Sequence, residues 1–147
     1  MLSKTALNTL KAFVALAGLP KGSYQGAASV ADKIGAPQNY LSKQLKALVG
    51  SGLVESRKGK DGGFRLGRPA GEITLFDVVE PIDQVSRWEG CFMGGGRCTE
   101  GTSCPTHKRW SKVRVAYLDF LTQTTIVDLL GDSQAGITSK PNQAAEG

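Results

Sequence analysis

Residues 37–67 read PQNYLSKQLKALVGSGLVESRKGKDGGFRLG, and this stretch decides the fold. Pro37 suits the start of a helix, because its fixed φ is helical and the first helical N–H needs no partner. Two short strand-forming runs follow, at residues 53–57 and 64–66, and the Asp-Gly pair between them is a strong hairpin signal. The stretch therefore predicts a helix that leads into a β-hairpin. The helix has a predicted buried stripe at helical spacing: Leu41, Leu45 and Leu48.

Two helices are predicted ahead of this stretch. Apolar residues at helical spacing predict a first helix over about residues 4–18, which Gly18 ends. Ser29-x-x-Asp32 resembles a capping box and predicts a second helix that stops at Gly35. Three helices followed by a hairpin are the order of a winged helix-turn-helix. The expected fold class is therefore mainly α with a small β wing.

The rest of the chain predicts a cysteine-bearing loop between two helices. Thr74-x-x-Asp77 caps a short helix that runs to about Pro81. A long helix is expected from about Pro105 to Gln123, and Thr125-x-x-Asp128 predicts one more turn. Apolar residues on the long helix recur at 3–4 spacing, which predicts packing against another helix. The residues on that seam are Trp110, Val113, Tyr117 and Phe120.

Charge is distributed unevenly along the chain. The formal net charge is +5, yet residues 1–70 carry 11 Lys and Arg against 3 Asp and Glu, whereas residues 71–147 carry 7 against 10. A cationic N-terminal half indicates a polyanionic partner, although a solvated basic surface explains the charge alone equally well. Because a winged helix lies in the same half, double-stranded DNA is the favoured partner.

The third helix and the hairpin supply the candidate DNA contacts. The major groove admits one helix, and Gln38 and Asn39 carry amides that can read base edges there. Lysines on the same helix suit phosphates, which position a protein without specifying sequence. Basic residues on a hairpin can enter a minor groove. The full candidate set is Gln38, Asn39, Tyr40, Ser42, Lys43, Lys46, Arg57, Lys58, Lys60 and Arg65.

The three cysteines and the single histidine of the chain fall within one short segment. Cys91, Cys98, Cys104 and His107 follow the spacing C-x6-C-x5-C-x2-H, with three consecutive glycines inside it. Three thiolates and an imidazole can complete a four-coordinate site or hold an iron–sulfur cluster, and these gaps are longer than those of a C-x2-C zinc knuckle. Cys104 precedes a helix N-terminus, whose dipole favours the thiolate.

Other interpretations of the same residues stay open at this point. Zinc, or unligated thiols, would give a cluster-free winged-helix repressor with a thiol or small-molecule signal. A small iron–sulfur electron carrier is a third hypothesis, although the wing and the recognition helix argue against it. The sequence has no G-x-G-x-x-G pattern, no Ser/His/Asp set and no nucleotide motif, so an enzyme is not expected.

Together these residues resemble the Rrf2 family of winged-helix iron–sulfur transcriptional regulators, with its IscR-like and NsrR-like branches. The resemblance extends from Leu2 to Leu130, and it rests on Asn39-Tyr40-Leu41, on the wing from Lys58 to Gly67, on Asp77-Val78-Val79 and on the three cysteines. It implies a homodimer that is joined through the apolar seam of the long C-terminal helix, so that the seam residues Trp110, Val113, Tyr117 and Phe120 are the expected dimer contacts, and that binds a palindromic operator. It also implies an iron–sulfur cluster that senses redox state, nitric oxide or iron–sulfur status.

The resemblance also implies a ligand set. In the IscR-like branch three cysteines and a histidine shortly after the last one hold a 2Fe–2S cluster, and Cys104-Pro105-Thr106-His107 fits that pattern. In the NsrR-like branch a carboxylate from the partner's first helix completes the site, often with a 4Fe–4S cluster, but Asn8 stands at the matching position here. The expected ligands are therefore Cys91, Cys98, Cys104 and His107, and 2Fe–2S is favoured over 4Fe–4S.

These expectations divide the chain into four parts. Residues 1–83 form the predicted winged-helix DNA-binding domain, residues 84–104 the cysteine-bearing cluster loop, residues 105–130 the dimerisation helix, and residues 131–147 a tail that is expected to be disordered. The sequence lacks a run of 18 apolar residues and a convincing signal peptide, so a cytoplasmic protein is expected.

Overall fold

A computed structural model of the chain describes residues 2–90, 92–93 and 105–130, without the side chains of residues 88 and 89. Helices and one antiparallel hairpin make up most of this part of the chain, so the predicted fold class, mainly α with a small β wing, is confirmed. Within the same residues, no helix is long and apolar enough to cross a membrane. The elements are α1 (Lys4–Ala17), α2 (Ala27–Ile34), α3 (Gln38–Val49), β1 (Val54–Arg57), β2 (Gly63–Leu66), α4 (Leu75–Asp83) and α5 (His107–Gln123), with 3-10 turns at Ala70–Glu72 and Val85–Glu89.

The first helix, α1, forms the centre of the core. Its N-cap residue Ser3 accepts a hydrogen bond from the N–H of Ala6 at 3.1 Å, and the helix contacts α2, α3, α4 and β2. Phe13 and Val14 have no exposed surface, because these elements cover α1 on several sides. Burial of each such side chain stabilises the fold by about 1.5–3 kcal/mol. α1 therefore holds the recognition helix and the wing in one unit.

The turn between α2 and α3 is the one that the sequence predicts. Gly35 ends α2 in the left-handed conformation, with φ +73°, and its N–H donates to the carbonyl of Ala31. This is the usual way in which glycine satisfies the carbonyls of a last turn. Pro37 then caps α3. The predicted stripe on α3 is buried: Leu41, Leu45 and Leu48.

The predicted capping box at the start of α2 is wrong. The helix begins at Ala27, so Ser29 and Asp32 lie inside it. Ser29 Oγ instead accepts a hydrogen bond from Gln25 Nε2 at 2.7 Å. The helix starts earlier because Gln25 is held in an extended β-bridge with Phe64, so the chain can turn directly after it.

The wing consists of β1 and β2, with a third short segment beside them. The two strands pair in an antiparallel register that sets Arg57 opposite Gly63. Across the other edge of β2, Gln25 N–H donates to Phe64 O at 2.9 Å and Phe64 N–H donates to Gln25 O at 2.8 Å. Gly63 has φ +138°, and a Cβ built there would lie 2.4 Å from the Gln25 carbonyl. Glycine therefore allows the close approach of the two backbones.

The start of α4 is capped as the sequence predicts. Asp77 N–H donates to Thr74 Oγ1 at 3.1 Å, and Thr74 N–H donates to Asp77 Oδ2 at 3.0 Å. The two bonds satisfy N–H groups that have no intrahelical partner. α4 continues through Pro81 to Asp83, two residues beyond the predicted end.

Backbone hydrogen bonds join the end of α5 to the start of α4. Leu75 N–H donates to Thr124 O at 2.9 Å, and Thr74 forms an isolated bridge with Thr125. Residues 126–130 are helical, as the capping pattern at Thr125 predicts. The C-terminal end of the long helix is therefore joined to the winged-helix unit by backbone hydrogen bonds.

Candidate nucleic-acid interface and metal centre

The recognition helix α3 presents a polar and cationic face opposite its leucines. Asn39, Lys43 and Lys46 share one side of the helix, because residues three and four apart are neighbours on a helix surface. Ser42 is half-buried at the edge of this face. The arrangement leaves amide and ammonium groups free to approach a nucleic acid. The exposed candidates on α3 are Gln38, Asn39, Tyr40, Lys43 and Lys46.

The wing carries exposed cations and one cation that is paired. Arg57, Lys58 and Lys60 are exposed. Arg65, which the sequence also nominates as a DNA contact, has Nη2 2.8 Å from Glu55 Oε1, and its Nε donates to the same oxygen at 2.9 Å. Glu55 therefore compensates much of the charge of Arg65 within the protein, whereas the three exposed cations extend toward the wing tip.

Sequence reasoning misses Tyr24, which contacts both arginines of the wing. The Cζ atom of Arg65 lies 4.6 Å from the centroid of the Tyr24 ring, and that of Arg57 lies 5.7 Å from it. Such cation–π contacts contribute about 0.5–1 kcal/mol at exposed sites. No local pattern points to Tyr24, because the contact arises from the bridge between Gln25 and the hairpin.

The structure describes the candidate metal centre only at its C-terminal edge. Cys91, Cys98 and Cys104 lie outside the described residues, and His107 is half-buried as the first residue of α5. Within the described ranges, no group of three or more metal-ligating side chains comes together. The ligand set that the sequence nominates therefore stays a prediction.

The chain on both sides of the cysteine segment meets at the first turns of α5. Trp110 Nε1 donates a hydrogen bond to the carbonyl of Gly90 at 2.9 Å, and the Trp110 and Phe92 rings lie 5.4 Å apart at a tilt of 56°. Cys91 lies between Gly90 and Phe92 in the chain. His107 precedes Trp110 by three residues, so it lies on the same side of α5.

The N-terminal half of α5 is strongly cationic. It has no acidic residue in its first turn. The macrodipole of a helix places positive partial charge at this end and favours anions there. A cluster of cations at such an end is unfavourable unless negative charge lies nearby, and thiolates would supply that charge. The cations are Lys108, Arg109, Lys112 and Arg114.

The four nominated residues of α5 lie on two adjacent stripes of the helix. Trp110 bonds to Gly90, and Tyr117 packs against the core of its own chain. Val113 and Phe120 are 54% and 55% exposed, and they lie on one stripe because they are seven residues apart. The dimer residues nominated from the sequence thus divide between an inward pair and an outward pair.

Three helices meet at the carboxylate of Asp83. Ser3, the N-cap of α1, donates to it from its N–H at 2.8 Å and from its Oγ at 2.6 Å. Asp83 is the last residue of α4, and its charge acts on Tyr117 of α5. Burial, and secondarily the Asp83 carboxylate, raise the pKa of Tyr117 above its usual 10.0.

The raised pKa of Tyr117 predicts a loss of stability in alkali. The folded protein keeps the phenolic proton at a pH where the unfolded chain has released it, so the free energy of unfolding falls as the pH rises above about 10. We expect Tyr117→Phe to show a shallower decline than the wild type in urea unfolding across this range. Equal slopes for the two proteins would contradict the assignment.

Comparison with known proteins gives one family match and several related chains. The model of the Rrf2 family, described as an iron-dependent transcriptional regulator, matches residues 2–132. The HTH-type transcriptional regulator IscR of Vibrio vulnificus strain YJ016 is 33% identical over 107 residues, which cover 73% of this chain and 63% of that relative. The chain thus spans less than two thirds of the length of this relative.

Two solved structures resemble the fold. CymR (YrzC), the global cysteine regulator of B. subtilis, has a TM-score of 0.73 at 23% identity over 88% of this chain and 95% of its own. IscR of T. potens has a TM-score of 0.72 at 21% identity over 95% of this chain and 93% of its own. At these identities the likeness shows the winged-helix fold with its long C-terminal helix, and no more.

Proposed function

The chain belongs to the Rrf2 family of transcriptional regulators, and on this basis we propose that it binds operator DNA under the control of an iron–sulfur cluster. The proposed regulator is a homodimer that binds a palindromic operator in the cytoplasm. The signal is a change in redox state, nitric oxide or iron–sulfur status. Separate features of the chain support the DNA contact, the dimer and the cluster.

The exposed face of α3 and the wing support the DNA contact. Asn39 can form a bidentate pair with an adenine edge in the major groove, and Lys43 and Lys46 on the same face can contact phosphates. The wing adds Arg57 and its neighbouring lysines. Glu55 is already paired with Arg65, and the exposed Asp61 at the wing tip is outnumbered by the exposed Arg57, Lys58 and Lys60.

The outward stripe of α5 supports the homodimer. Val113 and Phe120 are large, apolar and exposed, and Ala116, also exposed, lies between them at heptad spacing. Small and large apolar residues at such positions pack two helices side by side. The α5 helix of a second copy would cover this stripe, and the resulting dimer would carry two recognition helices.

The contacts of Trp110 with Gly90 and Phe92 are the observation that supports the cluster most directly. They hold Gly90, the residue before Cys91, beside the helix turn that carries His107. The residues that flank the cysteine segment, Gly90 before it and His107 after it, therefore both lie at the first turns of α5. Cys91, Cys98, Cys104 and His107 would hold the cluster, and the cations of α5 would balance the charge of its thiolates. When bound, the cluster supplies a centre that exchanges an electron or reacts with nitric oxide.

The position of α5 links the cluster ligands to the operator. His107 begins the helix, and at its other end the carbonyl of Thr124 accepts the N–H of Leu75 in α4. Ligation at His107 would fix the first turn of α5 relative to the winged-helix unit. Half-sites of an operator lie about 34–36 Å apart, so a small change in the separation of two recognition helices alters affinity.

Operator affinity with and without the cluster tests the proposal. The protein is purified without oxygen, its visible spectrum and native mass are recorded, and a duplex selected from a random library serves as the probe. We expect a coloured dimer with one 2Fe–2S cluster per chain, and affinities that differ about tenfold or more between the two forms. Equal affinities would contradict the switch. A colourless dimer, with or without zinc, would contradict the cluster and favour a repressor with a thiol or small-molecule signal.

Two variants separate the DNA contact from the cluster. Asn39→Ala should weaken binding to the selected duplex by about 1–3 kcal/mol for each half-site and leave the visible spectrum unchanged. Lys4→Ala removes an exposed cation of α1, outside the recognition helix, the wing and the cluster segment, and should bind the duplex as the wild type does. A selected duplex that Asn39→Ala binds with unchanged affinity would contradict the assignment of α3 as the reading helix.

A further inference from the structure

The row of side chains across the outer face of the wing has an unusual order. The Gln25–Phe64 bridge sets Tyr24 opposite Arg65, because the pairing is antiparallel. Arg65 in turn lies opposite Glu55 in the register of the hairpin. An aromatic ring, a guanidinium and a carboxylate therefore follow one another across three adjacent backbone segments, at the spacing at which cross-strand side chains interact.

Arg65 is held on both sides within this row. Its guanidinium stacks over the Tyr24 ring at 4.6 Å, and its Nη2 lies 2.8 Å from Glu55 Oε1. A guanidinium that is both stacked and ion-paired has little freedom to reorient toward a phosphate. Arg65 therefore acts as a fixed part of the wing.

Arg57 is in the opposite situation. Its partner across the hairpin is Gly63, which has no side chain to restrain it. Arg57 is exposed, and the Tyr24 ring lies 5.7 Å from its Cζ atom. Among the described residues, the face of that ring can restrain the Arg57 side chain without neutralising its charge.

We propose that Tyr24 is a positioning residue that holds Arg57 ready for a DNA phosphate, with Arg65 keeping the ring in place. The proposal rests on the DNA-binding function proposed above. A long side chain that is ordered before binding loses less conformational entropy when the complex forms. Glu55 already has Arg65 Nη2 at 2.8 Å and Nε at 2.9 Å from its Oε1, so its charge is compensated by Arg65 before it could attract Arg57.

A double-mutant cycle on non-specific binding tests this role. The probe is a labelled random-sequence duplex of about 30 base pairs, roughly three helical turns, in a salt series. We expect Tyr24→Leu to weaken binding about two- to fivefold for each subunit, and Tyr24→Phe, which keeps the ring face, to remain within about twofold of the wild type. In an Arg57→Ala background, Tyr24→Leu should have no further effect. A loss of the same size in both backgrounds, or wild-type binding by Tyr24→Leu, would overturn the proposal.

A measurement without DNA keeps the proposal testable if the duplex binds poorly. Side-chain protons over an aromatic ring shift upfield in NMR spectra. We expect the δ protons of Arg57 and Arg65 to show this shift in the wild type and in Tyr24→Phe, and to lose it in Tyr24→Leu, while the thermal unfolding midpoint identifies any variant that fails to fold. Unshifted Arg57 protons in the wild type would overturn the positioning role whether or not the protein binds DNA.

Discussion

The Cys98→Ser variant is expected to lose the visible chromophore completely. The chain has three cysteines, so no other thiol can replace the missing ligand. A serine hydroxyl is a poor ligand for iron in a cluster, because it does not ionise readily and is a harder donor than a thiolate. The measurement is the visible spectrum of protein purified without oxygen, together with iron and sulfide analysis for each chain.

The matched control for Cys98→Ser lies in the same segment. Ser103→Ala changes the residue before Cys104 and removes no nominated ligand, so it should keep the wild-type spectrum and metal content. His107→Ala should retain the three thiols but shift or lose the visible bands, since an imidazole ligand sets the electronic structure of the iron that it binds. Wild-type spectra in both the Cys98 and the His107 variants would contradict the ligand set.

Replacement of Gly63 with alanine is expected to destabilise the wing strongly. Its φ of +138° is strained for any side chain, and the new Cβ would lie 2.4 Å from the backbone of Gln25. The two backbone hydrogen bonds between Gln25 and Phe64 cannot both survive that contact. We expect the free energy of unfolding to fall by about 2–4 kcal/mol, from backbone strain and lost hydrogen bonds. Urea unfolding measures the total, and hydrogen exchange at the Gln25 amide locates it.

Gly59→Ala separates strain from steric conflict. Gly59 lies in the same wing with φ +104°, but a Cβ there would meet nothing within 4 Å. Its substitution should carry the cost of strain alone, about 1–3 kcal/mol, and leave exchange at Gln25 slow. If Gly63→Ala proved no less stable than Gly59→Ala, the close approach of the two backbones would not exist in solution.

Local signals predicted most of the fold. The leucine stripe of α3, the helix end at Gly35 and the capping box at Thr74 are all visible in local patterns, in which each signalling residue lies no more than four positions from the next. Local sequence patterns could not predict where α2 begins. Its position depends on the pairing of Gln25 with Phe64, two residues far apart in the chain, and that pairing overrides the local capping pattern at Ser29.

The residues of the candidate site likewise fall into those that local spacing predicts and those that only tertiary contacts identify. The exposed face of α3 follows directly from helical spacing, whereas Tyr24 and Gly90 acquire their roles from tertiary contacts. The apolar seam of α5 shows why spacing alone is insufficient: Tyr117 and Phe120 are three residues apart, yet one packs on its own chain and the other is exposed. Periodicity identifies apolar positions, but the neighbouring elements decide which of them are covered within the chain.

The hydrogen bond from Trp110 to Gly90 has an optical consequence. Indole emission depends on the polarity around the ring and on the partner of its N–H, and a nearby visible chromophore quenches it by energy transfer. The chain has two tryptophans, so Trp110→Phe leaves Trp88 alone, and the difference between the two emission spectra isolates Trp110. The protein thus carries its own unlabelled fluorophore beside the candidate ligands, and attachment of the cysteine segment to α5 can be followed in real time without modifying a thiol.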